Sequence, residues 1–171
     1  MYKKQKGFTL VEMIIVTVII GILAGTVITV INIPLIQARS RDSRRTGDLK
    51  RIQTALELYF SDHRSYPTSA SWQLVSAIHT SEYLQSYLSS VPEDPRVGES
   101  SSLACFGTTV QNYNYYYRSN NGAVYVLGAI FEDSSRNTEN LCTAEYTPNC
   151  DVSSGYDCHS DAHCYCLQNP L

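Results

Sequence analysis

Glu12 is the residue whose chemistry most needs explaining, because it is the only charged residue in a run, residues 8–36, that otherwise holds no Asp, Glu, Lys or Arg. An acidic group deep in a bilayer costs roughly 2.5 to 3.5 kcal/mol at the centre and less near an end, so it usually acquires a partner or a task. A second reactive group is the cysteines: Cys105 stands apart, and Cys142, Cys150, Cys158, Cys164 and Cys166 crowd a stretch rich in Gly, Ser, Asn and Asp. An even count in an exported segment points to as many as three disulfides, with 15 connectivities for a full set. Two other readings stand beside it, free thiols and a metal site from Cys158, His159, His163, Cys164 and Cys166. Those ligand types suit zinc, but no Cys-x2-Cys pair frames them, and export favours oxidation over thiolate. The chain lacks a Gly-x-Ser-x-Gly elbow, a phosphate loop and a His-Glu-x-x-His pair. Enzymatic chemistry is therefore not expected.

The elements that must carry these groups follow from charge and hydropathy. The formal charge of -3 on 171 residues is a sum of unlike parts: residues 1–7 carry +3, residues 8–36 carry -1, residues 39–51 carry +4 and the rest carries -9. As a helix, residues 8–36 would reach about 43 Å, more than the ~30 Å apolar core of a bilayer. Three lysines precede the run, Lys3, Lys4 and Lys6, which orients the N-terminus toward the cytoplasm and the remainder outward. A cleaved secretory signal has a shorter apolar stretch and no internal acid, so the run reads as an anchor that stays. Gly21 and Gly25 form a small-xxx-small pair, suited to close helix packing or to local melting. Pro34 lacks a backbone donor and is expected to bend the helix near the end of the run.

Lys6-Gly7-Phe8-Thr9-Leu10-Val11-Glu12, followed by an unbroken apolar stretch, closely resembles the N-terminal signal of type IV pilins and type II secretion pseudopilins. The resemblance implies that a prepilin peptidase cuts after Gly7 and that the new N-terminal Phe8 is methylated. It also implies that Glu12 of one subunit neutralises the Phe8 amine of a neighbour as a filament assembles. A glycine before the cut suits a protease, since it weakens helix and lets the backbone approach a surface closely. Removing residues 1–7 would take the charge from -3 to -6 and leave Lys50 as the only lysine.

Downstream, Leu49, Ile52, Ala55, Leu56, Tyr59 and Phe60 recur at helical spacing and define one face for packing on a sheet, with Asp48, Lys50, Arg51, Glu57 and Asp62 left in water. The basic collar Arg39, Arg41, Arg44 and Arg45 reads as a solvated or intersubunit face, with anionic lipid and nucleic acid as alternatives. Residues 72–88 can form a second helix. Tyr113, Tyr115 and Tyr117 alternate toward an Asn121-Gly122 two-residue turn and an apolar return strand to Ile130. Cross-strand packing against the long helix is the expected use of these tyrosines, a sugar or nucleic-acid platform the alternative.

The expected fold is thus α+β and pilin-like: a long N-terminal helix, its first half transmembrane, packed on a small antiparallel sheet head with a Cys-rich C-terminal loop. The segments are a leader (1–7), a transmembrane and filament-core helix (8–36), its amphipathic continuation (37–63) and an extracytoplasmic head (64–171) whose residues 131–171 are Cys-rich. The resemblance implies a structural subunit polymerising through its N-terminal helix, foremost a major pilin of a surface type IV pilus, alternatively a major pseudopilin of type II secretion. A non-polymerising, membrane-anchored, disulfide-rich binding domain is the second alternative. Implied partners are identical or homologous subunits, prepilin peptidase, the inner-membrane assembly platform and its ATPase, the membrane before assembly, and nucleic acid if the pilus takes up DNA. No cofactor is called for. Major pseudopilins typically carry an acidic calcium loop where this chain has Gly128-Ala129-Ile130-Phe131-Glu132-Asp133, which departs from that pattern and keeps only Glu132 and Asp133 as acids.

Overall fold

The computed structural model describes residues 7–30, 32–81, 83–103, 105–106, 111–136 and 163–169, without the side chains of 26–30 and 136. Cys142, Cys150, Cys158 and His159 lie outside the described residues. The chain divides into two compact units, Met1–Ile36 and Gln37–Leu171.

In the first unit, helix α1 (Leu10–Val30) runs without interruption through Gly21 and Gly25. Its large apolar side chains from Leu10 to Leu23 are 46–76% exposed. Helix α2 (Ile33–His63) follows as a separate helix, with Asn32 outside both. The expected single helix bent at Pro34 is therefore two helices, and the local chemistry explains why. Asn32 is the cap: its side-chain oxygen accepts from the Leu35 N–H at 3.3 Å and its carbonyl from the Ile36 N–H at 3.1 Å. Pro34 then falls in the first turn of α2, where a missing N–H costs nothing. Among the described residues no helix is long and apolar enough to cross a membrane. The described apolar side chains of α1, residues 10–25, cover about 24 Å.

In the second unit, α2 buries Leu49, Ile52, Ala55, Leu56 and Tyr59, the face its periodicity predicts. It ends where Arg64 turns left-handed (φ 60°) and its N–H bonds the Phe60 carbonyl at 2.8 Å. Four antiparallel strands form the sheet in the order β1 (Ser69–Leu74), β2 (Tyr116–Ser119), β3 (Val126–Ile130), β4 (Cys164–Gln168). Trp72 lies in β1, and the expected helix over 72–88 shrinks to α3 (Val75–Thr80), with residues 81 and 83–87 in turns and bends. The strand wins because Ser69, Gln73 and Leu74 find partners on β2, a pairing that local periodicity does not register. The β2–β3 hairpin is present, but Tyr117 pairs Leu127 and Arg118 pairs Val126, which centres the turn on Gly122 rather than between Asn121 and Gly122. Gly122 has φ +71°, and a side chain there would press on the Tyr66 carbonyl at 3.0 Å.

Strands β2, β3 and β4 alternate between two buried layers. Tyr115, Tyr117, Leu127, Ala129 and Tyr165 join the α2 face, while Tyr116, Val126, Ile130, Cys164 and Cys166 pack with Phe106 on the opposite side. Tyr115 and Tyr117 are fully buried, so they serve packing and offer no platform to a sugar or a base. Tyr113 departs from the expected alternation and belongs to the outer layer. Gly128 keeps that layer thin, since a Cβ there would overlap the Phe106 ring. A disulfide joins Cys105 to Cys164 across a sequence separation of 59 and holds the segment bearing Phe106 onto β4. Cys166 is disulfide-bonded as well, with a partner outside the described residues. Oxidation therefore accounts for the described cysteines, and a metal reading that uses Cys164 and Cys166 is set aside.

Candidate functional site

Two clusters hold the chemistry of the chain, one at the start of α1 and one between α2 and the loops of the head. At the first, Thr9 precedes the helix and Glu12 closes its first turn. The Glu12 N–H donates to the Thr9 hydroxyl oxygen at 3.3 Å, and the Thr9 N–H donates to the Glu12 carboxylate at 3.5 Å. Long as these bonds are, they form a reciprocal capping box, which satisfies two of the helix's orphan donors. The carboxylate also sits at the positive end of the helix dipole. Phe8, immediately before, is 74% exposed, and nothing lies within 4 Å of the Cβ position at Gly7. The same is true at Gly21 and Gly25. In this chain, then, Thr-x-x-Glu starts a helix and leaves an accessible backbone just ahead of it.

The second cluster centres on Arg45, whose side chain is fully buried. Its Nε and Nη2 donate to the two oxygens of Asp94 at 2.7 and 2.9 Å, a bidentate pair, and its Nη1 donates to Asp42 at 2.7 Å and Glu132 at 2.9 Å. Arg41 clamps Glu132 through Nε at 2.7 Å and Nη2 at 2.5 Å, and Arg39 donates to Asp133 at 2.7 Å. Asp42 completes the arrangement by accepting the backbone N–H of Glu132 and of Asp133, at 3.0 and 2.9 Å. Arg96 reaches Glu132 at 3.3 Å, and the guanidinium groups of Arg45 and Arg96 lie 5.0 and 4.4 Å from the centre of the Tyr113 ring. Three segments distant in sequence are thereby tied together: the collar of α2, the Pro92-Glu93-Asp94-Pro95 loop and the segment leaving β3.

The electrostatics fit a lock rather than a reactive site. Burial alone would lower the Arg45 pKa, but the bonds to Asp94, Glu132 and Asp42 raise it above the ordinary arginine value. Burial would raise Glu132, yet Arg41 and Arg45 outweigh it and hold that carboxyl at about 2. The Ser135 hydroxyl and then Arg39 hold Asp133 at about 2. Both acids named in the calcium reading thus have guanidinium partners, and among the described residues no group of three or more His, Cys, Asp or Glu side chains could hold a metal ion. The collar itself departs from an expectation: Arg45 is buried in its own head, Arg41 is half-buried against Glu132, and Arg39, still exposed, pairs with Asp133. Asp48 and Glu57 were expected in water, but Asp48 accepts from the buried Tyr115 hydroxyl at 2.8 Å and Glu57 from Tyr66 and Tyr125 at 2.9 and 2.7 Å. Burial followed by the bond to Asp48 pushes the Tyr115 hydroxyl well above its usual pKa.

Sequence reasoning missed both arrangements to different degrees. The capping box has a local signature, Thr-x-x-Glu before an apolar run, which a cap search would find. Arg45 and Asp94 have no local signal, because 49 residues separate the two ends of their ion pair.

Residues 2–28 match the family model described as the prokaryotic N-terminal methylation motif. Over 70 residues the chain is 39% identical to type II secretion system core protein G of Pseudomonas aeruginosa, covering 39% of this chain and about half, 46%, of that protein. A longer match, 33% identity over 100 residues, covers 54% of this chain and 70% of the Klebsiella pneumoniae core protein G. The type IV major pilin protein PilA of Myxococcus xanthus is 41% identical over 68 residues, 40% of this chain and 30% of that one. No solved structure matches the chain. With an N-terminal methylation motif ahead of an apolar helix, and one-third identity across 70% of a core protein G, the chain belongs to the type IV pilin and type II secretion pseudopilin superfamily.

Proposed function

We propose that this chain is a structural subunit of a helical filament, cut after Gly7, methylated at Phe8 and polymerised through α1. The observation that carries the reading is the surface of α1, whose large apolar side chains stay 46–76% exposed beside a single carboxylate. Water does not tolerate so long an apolar surface, so it must be covered by lipid and then by the α1 helices of other copies. In this reading residues 8–36 anchor the unassembled subunit in the cytoplasmic membrane, with the head outside, and extraction into the filament follows. The assembly platform, its ATPase and prepilin peptidase are the machinery that such a route requires. Glu12, already positioned by the capping box, then exchanges a weak bond within its own helix for the Phe8 amine of a neighbour. At contact such charges are worth about 1 kcal/mol in water and several times more where water is excluded.

A surface type IV pilus is the lead, supported by the disulfide that binds Cys105 to β4, a staple suited to an oxidising exterior. A type II secretion pseudopilus is the second reading, favoured by the Klebsiella match, which extends past α2 into the head. Mass spectrometry of the N-terminal peptide from purified filaments tests the common part. The expected terminus is a methylated Phe8; filaments built from chains that start at Met1 would sink it. Electron microscopy of the cell surface separates pilus from periplasmic pseudopilus.

A further inference from the structure

Along its middle, helix α2 turns its acids toward the head and leaves several of its bases outside. Asp42 and Asp48 are buried, Glu57 receives two tyrosine hydroxyls, and Arg41 and Arg45 turn inward to Glu132. What remains outward along the middle of the helix is Arg44, Lys50 and Arg51, all exposed. Positions 44, 47, 51, 54 and 58 share one helical face by their spacing of three and four, and every one of them is exposed and none acidic. Arg44 reaches Asp48 only at 3.7 Å, and among the described residues neither Lys50 nor Arg51 has an ion-pair partner within 4.0 Å. The collar's +4 is thus spent unevenly: the inner arginines neutralise the head's own acids, and the outer bases face away from them.

The complementary charge lies in the Cys-rich stretch. Residues 137–162 contain Glu139, Glu145, Asp151, Asp157 and Asp161 and no Lys or Arg. We infer that the outward face of α2, through Arg44, Lys50 and Arg51, docks the acidic residues 137–162 of a second copy of this chain. The inference rests on the filament reading, in which each copy meets others through unlike surfaces in a repeating, non-closing contact. It supplies that polymer with an electrostatic contact outside the apolar core, one that salt weakens because Arg44, Lys50 and Arg51 are exposed. Lys50 and Arg51 set orientation between copies, while α1 supplies most of the cohesion.

Lys50 is the only lysine in residues 8–171, which makes the contact unusually direct to read. Filaments assembled from a mixture of ¹⁴N- and ¹⁵N-labelled chains are treated with a carbodiimide, which joins an amine to a touching carboxylate. The expected product is Lys50 linked to an acid within 137–162, carrying mixed isotope labels. Links confined to one label, or links only to acids outside 137–162, overturn the inference. In cells, Lys50→Glu with Arg51→Glu is expected to lower filament number at least tenfold, and adding Asp151→Lys with Asp157→Lys to restore it to within threefold. Full filament number from the first pair, or no recovery with the second while the head melts as in the unaltered chain, overturns it. So does a first pair that loses only binding to anionic vesicles or to DNA. An unaltered chain that forms no filament brings down the filament reading as well, whereas unaltered filaments alongside normal Lys50→Glu, Arg51→Glu filaments bring down this inference alone.

Discussion

Helix α1 carries one charge, Glu12, among apolar side chains that are 46–76% exposed, whereas α2 carries charges along its length and buries several of them, Arg45 completely. Each helix inverts the usual arrangement in its own way, and the inversions have different causes. In α1 the filament reading proposed above accounts for the outward apolar surface, which lipid or other copies would cover, and the lone acid sits at the terminus where the capping box and the helix dipole favour it. In α2 the ions are inside because three segments distant in sequence bring carboxylates to one guanidinium, so that burial is offset by bidentate and backbone hydrogen bonds. A buried charge cluster of this kind specifies how loops seat on a helix more than it adds to net stability.

The comparison breaks most sharply at Glu12. Glu12→Ala is expected to reduce filaments roughly 100-fold or more, since unpairing a dehydrated charge costs about 3–5 kcal/mol, while the protein still fractionates with membranes. Counting sheared filaments by negative-stain microscopy reads this, and normal numbers would show that the amine contact does not exist. On α2 the corresponding change is Arg45→Ala, which strands Asp94, Asp42 and Glu132 together. It is expected to destabilise the head by about 3–5 kcal/mol in urea unfolding, whereas the exposed neighbour Arg44→Ala stays within about 0.5 kcal/mol. Equal effects at the two positions would contradict the burial assigned here.

Smaller effects sharpen the picture of the head. Cys105→Ala with Cys164→Ala is expected to cost about 2–4 kcal/mol, because the bridge closes a long loop and holds Phe106 on the sheet; calorimetry of the full chain in detergent measures it. Acid should unlock the guanidinium cluster. Glu132 and Asp133 fall from ordinary values of 4.5 and 3.8 to about 2 in the folded chain, so their stabilisation is fully present above about pH 4.5 and is lost as pH drops toward 2. The Glu132 share is on the order of 3 kcal/mol, and Glu132→Gln should flatten the stability curve over that window. An unchanged acid limb in that variant would assign the loss to other groups.

Much of this architecture was legible before any coordinate. The apolar face of α2 could be read from Leu49, Ile52, Ala55 and Leu56, because a helix's period is local, and the hairpin from alternating tyrosines around a glycine. The short β1 was not, since Trp72 and its neighbours have helical spacing and become a strand only when β2 pairs with them. Nor was β4, although Cys164-Tyr165-Cys166-Leu167 alternates as strictly as any strand in the chain. Its cysteines drew the reading toward loop chemistry. The hairpin turn was misplaced by one residue because the register also answers to Tyr66, whose N–H takes the Gly122 carbonyl at 2.8 Å.

The sequence by itself determined the N-terminal signal, the apolar run behind it and the inward face of α2, and it marked Pro34 as a disturbance, though as a bend and not as the start of a second helix. These depend on neighbours within a few residues, where backbone geometry alone sets which groups meet. Only the tertiary structure decided the fate of the charges. Whether Arg41 and Arg45 face water or Glu132, and whether Asp48 is wet or bonded to Tyr115, depends on segments 67 to 91 residues away in the chain. Coulomb attraction acts on whatever the fold brings within reach, so the sign and number of charges were readable in advance and their partners were not.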